Sequence, residues 1–218
     1  MKKNTIAKKS SKREKETTEE RIKQAARKLF TAKGLAAVTT RDIAQMAGIN
    51  VALLHYYFRS KDKLFKIIML ENLAHFASGL AAIINDENTS IEDKLTMLVA
   101  TYIDKLTQEP ELILFIVNEL KSNSTIIMKK IGPETIIHKS YLKKQIMESD
   151  YPKQLLSVNP LHIPMNILGL TITPFLMAPI MMKIMNLNQQ QFAALMQERK
   201  ALIPQWIATM VQKGPEKK

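Results

Sequence analysis

The chain has no cysteine, and its 218 residues include only one tryptophan and six glycines. Without cysteine it has no disulfides, no thiolate metal sites and no cysteine nucleophile. The glycines are too widely spread to form a phosphate-cradling loop, and the four histidines show no metal-ligand spacing. Most carboxylates fall on charged helix faces. We therefore predict a protein that is not an enzyme, with no catalytic residues, no metal site and no cofactor.

Secretory and membrane-spanning patterns are also lacking. The Lys-rich N-terminus has no apolar stretch of the roughly 7–15 residues that a secretory signal needs. Residues Leu161–Met182 carry no formal charge and are long enough to span a membrane. They also include Asn166, Thr173 and three prolines, so we interpret the segment as a buried helix at a subunit interface. We predict a cytoplasmic protein without membrane contact.

Positive charge is concentrated in the N-terminal third. The net charge is +12, of which residues 1–71 contribute +10 through 17 Lys/Arg and 7 Asp/Glu. Such concentration is typical of a phosphate-binding surface. Residues 1–16 contribute half of that +10 and form a predicted disordered basic arm, which we interpret as a solvated tail in preference to a DNA contact.

Residues 17–65 show the pattern of a three-helix head followed by the start of a fourth helix. Thr17 and Glu20 have capping-box spacing at the start of the first helix, and Gly34 suits the left-handed cap at its end. The second helix begins at Thr39 or Thr40.

Two helices joined through a glycine turn follow within the head. Gly48 supplies the turn, Asn50 caps the third helix, and Leu54 and Phe58 anchor that helix to the core. This arrangement is the helix-turn-helix unit, whose second helix enters the DNA major groove. Ser60 is the predicted cap of the fourth helix.

The rest of the chain has helical periodicity and no alternating strand pattern, which predicts an all-α protein. Prolines 174 and 179 are expected to kink the segment 161–185. The predicted body helices cover 63–84, 91–106, 109–121, 125–147 with an interruption at 132–133, 161–185 and 188–211, with a loop over 149–159.

The head resembles the DNA-binding domain of the TetR family of bacterial transcriptional regulators. The resemblance rests on TTEERIKQAARKLFTAKGLAAVTTRDIAQMAGI, NVALLHYYF and RSKDKLF, about a quarter of the chain. It implies a homodimer that binds a double-stranded DNA operator through two recognition helices. It also implies that residues 66–218 form a helical body for dimerisation and binding of a small-molecule effector.

The resemblance assigns DNA-contact positions residue by residue. Tyr57 has an alternative role in packing at the edge of the head, and Tyr56 is open between exposure and packing against the first helix. The predicted DNA-binding residues are Thr40, Arg41, Asn50, Val51, Ala52, Leu53, His55, Tyr57 and Lys61.

The third helix lacks the side chains that read bases most strongly. No Arg, Asn or Gln lies between Val51 and Phe58, so bidentate readers of guanine and adenine are missing there. We hypothesise that specificity rests on contacts of Val51 with thymine methyls, on His55, on Arg41 and on DNA shape. In the alternative interpretation Leu53 points back into the head and reads no base.

The body offers weaker signals. By analogy with the family, residues 161–211 supply the dimer contact, and the methionine-rich region suits either a pocket or that seam. Polar residues within apolar helices are the only hints of an effector site, and their surroundings favour an apolar or amphipathic molecule. The predicted effector-contact residues are Asn118, Glu119, His138, Asn166, Thr173 and Met177.

Three functions remain open from the sequence. The first is a repressor that binds a palindromic operator and is released by an effector. The second is a ligand-independent or architectural DNA-binding protein, and the third is an activator of the same family. Salt dependence in the presence of competitor DNA separates the first from the second.

Overall fold

The computed structural model describes residues 17–132, 140–148 and 162–212. Every regular element in those ranges is a helix, which confirms the predicted all-α class. The helices are α1 (Thr18–Ala37), α2 (Thr40–Ala47), α3 (Val51–Phe58), α4 (Lys61–Asn85), α5 (Ile91–Gln108), α6 (Glu111–Ile131), α7 (Tyr141–Glu148), α8 (His162–Leu176), α9 (Ala178–Ile184) and α10 (Gln189–Gln212).

The described residues form two compact units, with the boundary between Ile68 and Met69. The N-terminal unit holds α1–α3 and the start of α4, and the C-terminal unit holds the remaining helices.

The first helix starts and breaks where its local chemistry predicts. Thr17 Oγ1 accepts a hydrogen bond from the Glu20 backbone N–H at 3.2 Å. Regular helical geometry breaks at Gly34, but the predicted left-handed cap is wrong: with φ 73° and ψ 161° this glycine lies outside the left-handed helical region, and helical turns continue to Ala37, with Val38 as the C-cap. Ile22, Ala26 and Phe30 are buried on the face that packs into the head.

The core of the C-terminal unit joins α5, α8 and α10. The T-shaped contact of Phe175 with Phe192, at 5.9 Å between ring centroids, links α8 to α10. An ion pair of Lys200 with Asp104 links α10 to α5. The buried core residues are Ile91, Leu95, Val99, Ile103, Ile167, Phe192, Met196, Ile203 and Ile207.

The predicted break in the chain near residues 122–124 is wrong. Helix α6 passes through this segment without interruption and ends at Gly132, which has φ 60°. The polar Ser122 does not end the helix because its hydroxyl donates to the Asn118 carbonyl at 3.0 Å. The interruption predicted at 132–133 coincides with the end of α6, whereas the predicted loop over 149–159 lies outside the described residues.

The kink predicted in the segment 161–185 is confirmed. Helices α8 and α9 meet at Met177 with a bend of 67°. Pro179 lies in the first turn of α9, where its missing N–H would have no partner within the helix. Pro174 lies inside α8 and is buried.

One described helix, α4, is long and apolar enough to cross a membrane, and the bent α8–α9 pair passes the same test if it is counted as one span. Core helices of soluble proteins also meet these criteria. The buried side chains of α4 recur at the three- and four-residue spacing of a core-facing stripe. They are Leu64, Ile68, Met69, Leu73, Ala77, Leu80 and Ile84.

A fully buried lysine closes the connection between α4 and α5. The Lys94 ammonium donates to the Asp86 and Thr89 carbonyls at 2.5 and 2.7 Å, and to Thr89 Oγ1 at 2.8 Å. The same loop accepts a hydrogen bond from Gln145 of α7. Asn85 Oδ1 accepts one from the Tyr141 backbone N–H at 3.0 Å. The cluster thereby ties α7 to the end of α4.

Candidate nucleic-acid interface

The start of α2 is fixed by a reciprocal cap, which settles Thr39 as the N-cap. Thr39 Oγ1 accepts from the Asp42 backbone N–H at 3.2 Å, and Asp42 Oδ2 accepts from the Thr39 backbone N–H at 2.8 Å. The hydrogen bonds from Thr39 lower the pKa of the Asp42 carboxyl. Thr40 and Arg41 therefore stand in the first turn, with Arg41 exposed. The helix dipole and the free N–H groups of that turn favour a nearby phosphate.

The turn between α2 and α3 needs its glycine. Gly48 has φ 65° and ψ 40°, a left-handed conformation that side chains disfavour, and its N–H donates to the carbonyls of Ala44 and Gln45. Asn50 then caps α3, because its Oδ1 accepts from the Leu53 backbone N–H at 2.8 Å. The predicted glycine turn and the predicted Asn50 cap are both confirmed. Asn50 therefore has a structural role in addition to its predicted DNA contact.

Helix α3 has one face in the head core and the other in solvent. Leu54 and Phe58 are buried, together with Ile43, Ala47 and Leu64, as the sequence predicts. Val51 and Leu53 are half-buried at the flanks. The residues exposed on the outer part of α3 are Ala52, His55, Tyr56 and Tyr57.

Tyr56 is the exposed aromatic that sequence reasoning did not include among the DNA-binding residues. Its side chain is 73% exposed, against 41% for Tyr57, and the two rings meet edge-to-face at 5.4 Å. The alternative that Tyr56 packs against the first helix is wrong. The exposure of Tyr56 could have been predicted from the helical period, because Tyr56 lies four residues after Ala52 and on the opposite side of α3 from Leu54 and Phe58.

Lys61 holds the end of α1 and the start of α4 together. Its ammonium donates to the carbonyls of Leu35 and Val38 at 2.9 Å each, across more than 20 residues of chain. Lysine has three ammonium hydrogens, so one remains for the predicted phosphate contact. Its structural role was not visible in the sequence. The neighbouring Ser60 caps α4 as predicted, accepting from the Lys63 N–H at 3.1 Å.

The five predicted effector residues that the structure describes are not gathered at one buried site. Asn118, Thr173 and Met177 are exposed, and Glu119 is half-buried. Asn166 Nδ2 lies 3.5 Å from the Met210 sulfur of α10. The buried polar residue of α8 is Thr171, whose hydroxyl donates to the Ile167 carbonyl at 2.6 Å. His138 lies outside the described residues.

No group of three or more His, Asp or Glu side chains is placed to hold a metal ion within residues 17–132, 140–148 and 162–212. The head presents helix caps, the exposed cations Arg41 and Arg59, and exposed aromatic rings. A capped helix-turn-helix with an exposed second helix is the arrangement with which one class of DNA-binding proteins enters the major groove.

The comparisons with known proteins agree with this class. Residues 22–68 match the model of bacterial regulatory proteins of the tetR family. A probable HTH-type transcriptional regulator, YttP of Bacillus subtilis (strain 168), is 26% identical over 161 residues, which are 73% of this chain and 78% of that protein.

Solved structures share the fold over most of the chain. The fatty acid degradation regulator FadR of Bacillus halodurans has a TM-score of 0.56 at 18% identity, over 94% of this chain and 100% of that one. A TetR-family regulator of Mesorhizobium loti has a TM-score of 0.59 at 17% identity, over 88% of this chain and 96% of that one. Residues 22–68 thus match a family of bacterial regulatory proteins, and the chain resembles an HTH-type transcriptional regulator in sequence and a TetR-family regulator in fold.

Proposed function

We propose that the protein is a cytoplasmic homodimeric repressor that binds a palindromic operator and is released by a small apolar or amphipathic effector. The observation that carries the DNA-binding part is the exposed outer face of α3, held between the Asn50 cap and the buried Leu54 and Phe58. Arg41 and Arg59 are exposed at the ends of this unit and supply positive charge for phosphates. The predicted contact residues in the head keep their proposed roles.

The proposed dimer contact, residues 161–211, is supported by exposed apolar surface. Water contact with exposed large apolar side chains is unfavourable, so a segment rich in them is favoured as a subunit contact. Met177 is one of these exposed side chains, which favours a role in the seam over a role in an effector pocket. The exposed large apolar side chains of the segment are Met165, Leu168, Leu176, Met177, Ile180, Ile184, Met185, Leu202, Trp206 and Met210.

A dimer explains why an operator should be palindromic. Two identical heads related by a two-fold axis recognise two inverted half-sites, whose centres are separated by about one helical turn or a multiple of it. A variant that places a charge in the seam, Leu168→Asp, is expected to shift the protein from dimer to monomer in analytical ultracentrifugation. Leu114→Asp, at an exposed leucine of α6 outside this segment, is the matched control and is expected to remain dimeric.

The experiment that separates a specific regulator from an architectural DNA-binding protein is a salt titration with competitor. Purified protein is titrated against labelled genomic fragments in excess unrelated DNA at about 50 and about 200 mM salt. Non-specific binding is almost entirely electrostatic and collapses over this range, whereas a specific site keeps an advantage of about 10³ or more. Loss of all fragments together at the higher salt would favour the architectural alternative.

Effector release has its own assay. A panel of apolar and amphipathic small molecules is added to the preformed complex, and fluorescence anisotropy of the labelled fragment is followed. Release by one member supports the repressor proposal, and increased affinity supports a corepressor in place of an inducer. The activator alternative is separated by transcription in vitro from the bound promoter, because a repressor lowers transcript and an activator raises it.

A further inference from the structure

The connection between α3 and α4 is a tight three-residue turn centred on Arg59. Arg59 has φ 65° and ψ −46°, and the Ser60 N–H donates to the Phe58 carbonyl at 2.7 Å. This is the γ-turn geometry with positive φ, which is rare and strained for a residue with a side chain. The turn gives the Arg59 carbonyl a direction that a continuing helix would not give it.

That carbonyl is joined to His55. The Arg59 N–H donates to the His55 carbonyl at 2.9 Å, and the His55 Nδ1 atom lies 2.9 Å from the Arg59 carbonyl oxygen. A carbonyl oxygen only accepts hydrogen bonds, so Nδ1 must carry the hydrogen. In the neutral ring this leaves Nε2 without hydrogen, as an acceptor.

The free nitrogen belongs to an exposed side chain on the outer part of α3. His55 lies three residues after Ala52 and next to Tyr56, all exposed, while Leu54 and Phe58 are buried. Since Nδ1 is occupied by the Arg59 carbonyl, Nε2 is the ring atom left to contact a base.

We propose that His55 is a specificity-determining residue that accepts a hydrogen bond through Nε2 from an adenine or cytosine amino group in the major groove. This inference rests on the proposed function of α3. The adenine N6 and cytosine N4 amino groups are donors, whereas guanine O6 and thymine O4 are acceptors at the corresponding positions. An Nε2 acceptor attracts the first pair and repels the second, and the Arg59 turn sets this preference by fixing the tautomer.

The tautomer is tested without DNA. Nitrogen NMR of the full-length protein with labelled histidine, at a pH where the rings are neutral, distinguishes a nitrogen that carries hydrogen from one that does not. The His55 resonances are assigned by their loss in His55→Asn. Hydrogen on Nδ1 and none on Nε2 supports the proposal, and the opposite tautomer overturns it whatever the DNA affinity.

Base reading is tested with the same variant. Asparagine keeps an amide N–H near the Nδ1 position for the Arg59 carbonyl but has no atom at the Nε2 position. On operator variants substituted one base pair at a time, wild type is expected to prefer adenine or cytosine at one position per half-site. His55→Asn is expected to lose that preference, binding the best operator about 10-fold to 100-fold more weakly. His75→Asn, an exposed histidine of α4, is the control and should bind as wild type.

The outcomes separate this inference from the function on which it rests. Replacing adenine by purine, or cytosine by 2-pyrimidinone, at the affected position removes only the amino group and is expected to weaken wild-type binding but not His55→Asn binding. Unchanged wild-type binding to these operators overturns the proposed acceptor role alone. An equal loss of affinity on every operator variant means that the ring touches phosphate, which also overturns base reading alone. A wild-type protein without any sequence preference overturns both the proposed function and this proposal.

Discussion

Replacing Lys94 with methionine removes the ammonium while keeping an unbranched apolar side chain of similar length. Lys94 is 0% exposed, and its ammonium donates to three oxygens of the α4–α5 loop at 2.5–2.8 Å. It also lies 5.5 Å from the centre of the Tyr141 ring on α7. The variant removes the lysine donor from three acceptors and loosens the contact between this loop and α7.

The cost follows from the three lost bonds. A protein hydrogen bond contributes about 1 kcal/mol net, and we apply this value to each of the three because the Thr89 carbonyl keeps its bond from Gln145 and the Asp86 carbonyl its bond from Thr89 Oγ1. The free energy of unfolding of the C-terminal unit is then lower by about 3 kcal/mol. With a urea dependence of about 2 kcal/mol per molar, the unfolding midpoint falls by about 1.5 M.

Trp206, the single tryptophan, lies in this unit, so its fluorescence reports the unfolding. Protein concentration is held fixed because dimer formation shifts apparent stability. Lys144→Met is the control: its ammonium lies 5.7 Å from the same Tyr141 ring, but the side chain is 62% exposed. It should change stability by no more than about 0.5 kcal/mol. A midpoint for Lys94→Met equal to that of the control would refute the reasoning.

Three further predictions concern the head. Val51→Ala is expected to weaken the preference for thymine at one or more operator positions. If titrations of operators with single base changes show an unchanged preference at every thymine, the hypothesis of contacts with thymine methyls is contradicted. Arg59→Gly relieves the strain of the positive φ and is expected to stabilise α3 by about 1 kcal/mol. Native-state hydrogen exchange of the α3 amides should then be slower than in wild type, and an unchanged or faster exchange would contradict the strain argument. Asp42 has a pKa below its ordinary value of 3.8, so its stabilisation of the head is present above that value and is lost as pH falls through the lowered pKa. In Asp42→Asn, the free energy of unfolding of the head, measured by hydrogen exchange, is therefore expected to fall less steeply as the pH is lowered. A fall as steep as in wild type would contradict the capping argument.

Local chemistry allowed much of the head to be predicted from the sequence. The caps at Thr17, Gly48 and Asn50 depend on residues within four positions of one another, so their spacing alone identifies them. Burial of Leu54 and Phe58 likewise follows from the helical period. These features position the outer face of α3 before any tertiary contact is known.

Long-range partners were not predictable in the same way. Lys61 bonds to carbonyls 23 and 26 residues away, and nothing in its local sequence distinguishes it from a solvated or phosphate-binding lysine. The burial of Lys94 could not be predicted either, because the carbonyl oxygens that accept its hydrogen bonds come together only when the α4–α5 loop has folded. The wrongly predicted break in α6 has the opposite cause: Ser122 resembles a loop residue but bonds to its own helix.

The positive-φ turn at Arg59 also escaped prediction, since a residue other than glycine rarely adopts that conformation. Its consequence for His55 depends on the direction of a single carbonyl. In our proposal, base preference at the interface therefore depends on a backbone detail that composition and periodicity do not record.

The central claim, that the protein is a dimeric sequence-specific regulator, is tested most directly by affinity selection of fragmented genomic DNA. Purified full-length protein is incubated with the fragments at moderate salt, and the retained DNA is sequenced. The account predicts a small set of fragments that share an inverted repeat, with half-sites about one helical turn or a multiple of it apart. Uniform recovery of all fragments, disappearing together as salt rises, would contradict it.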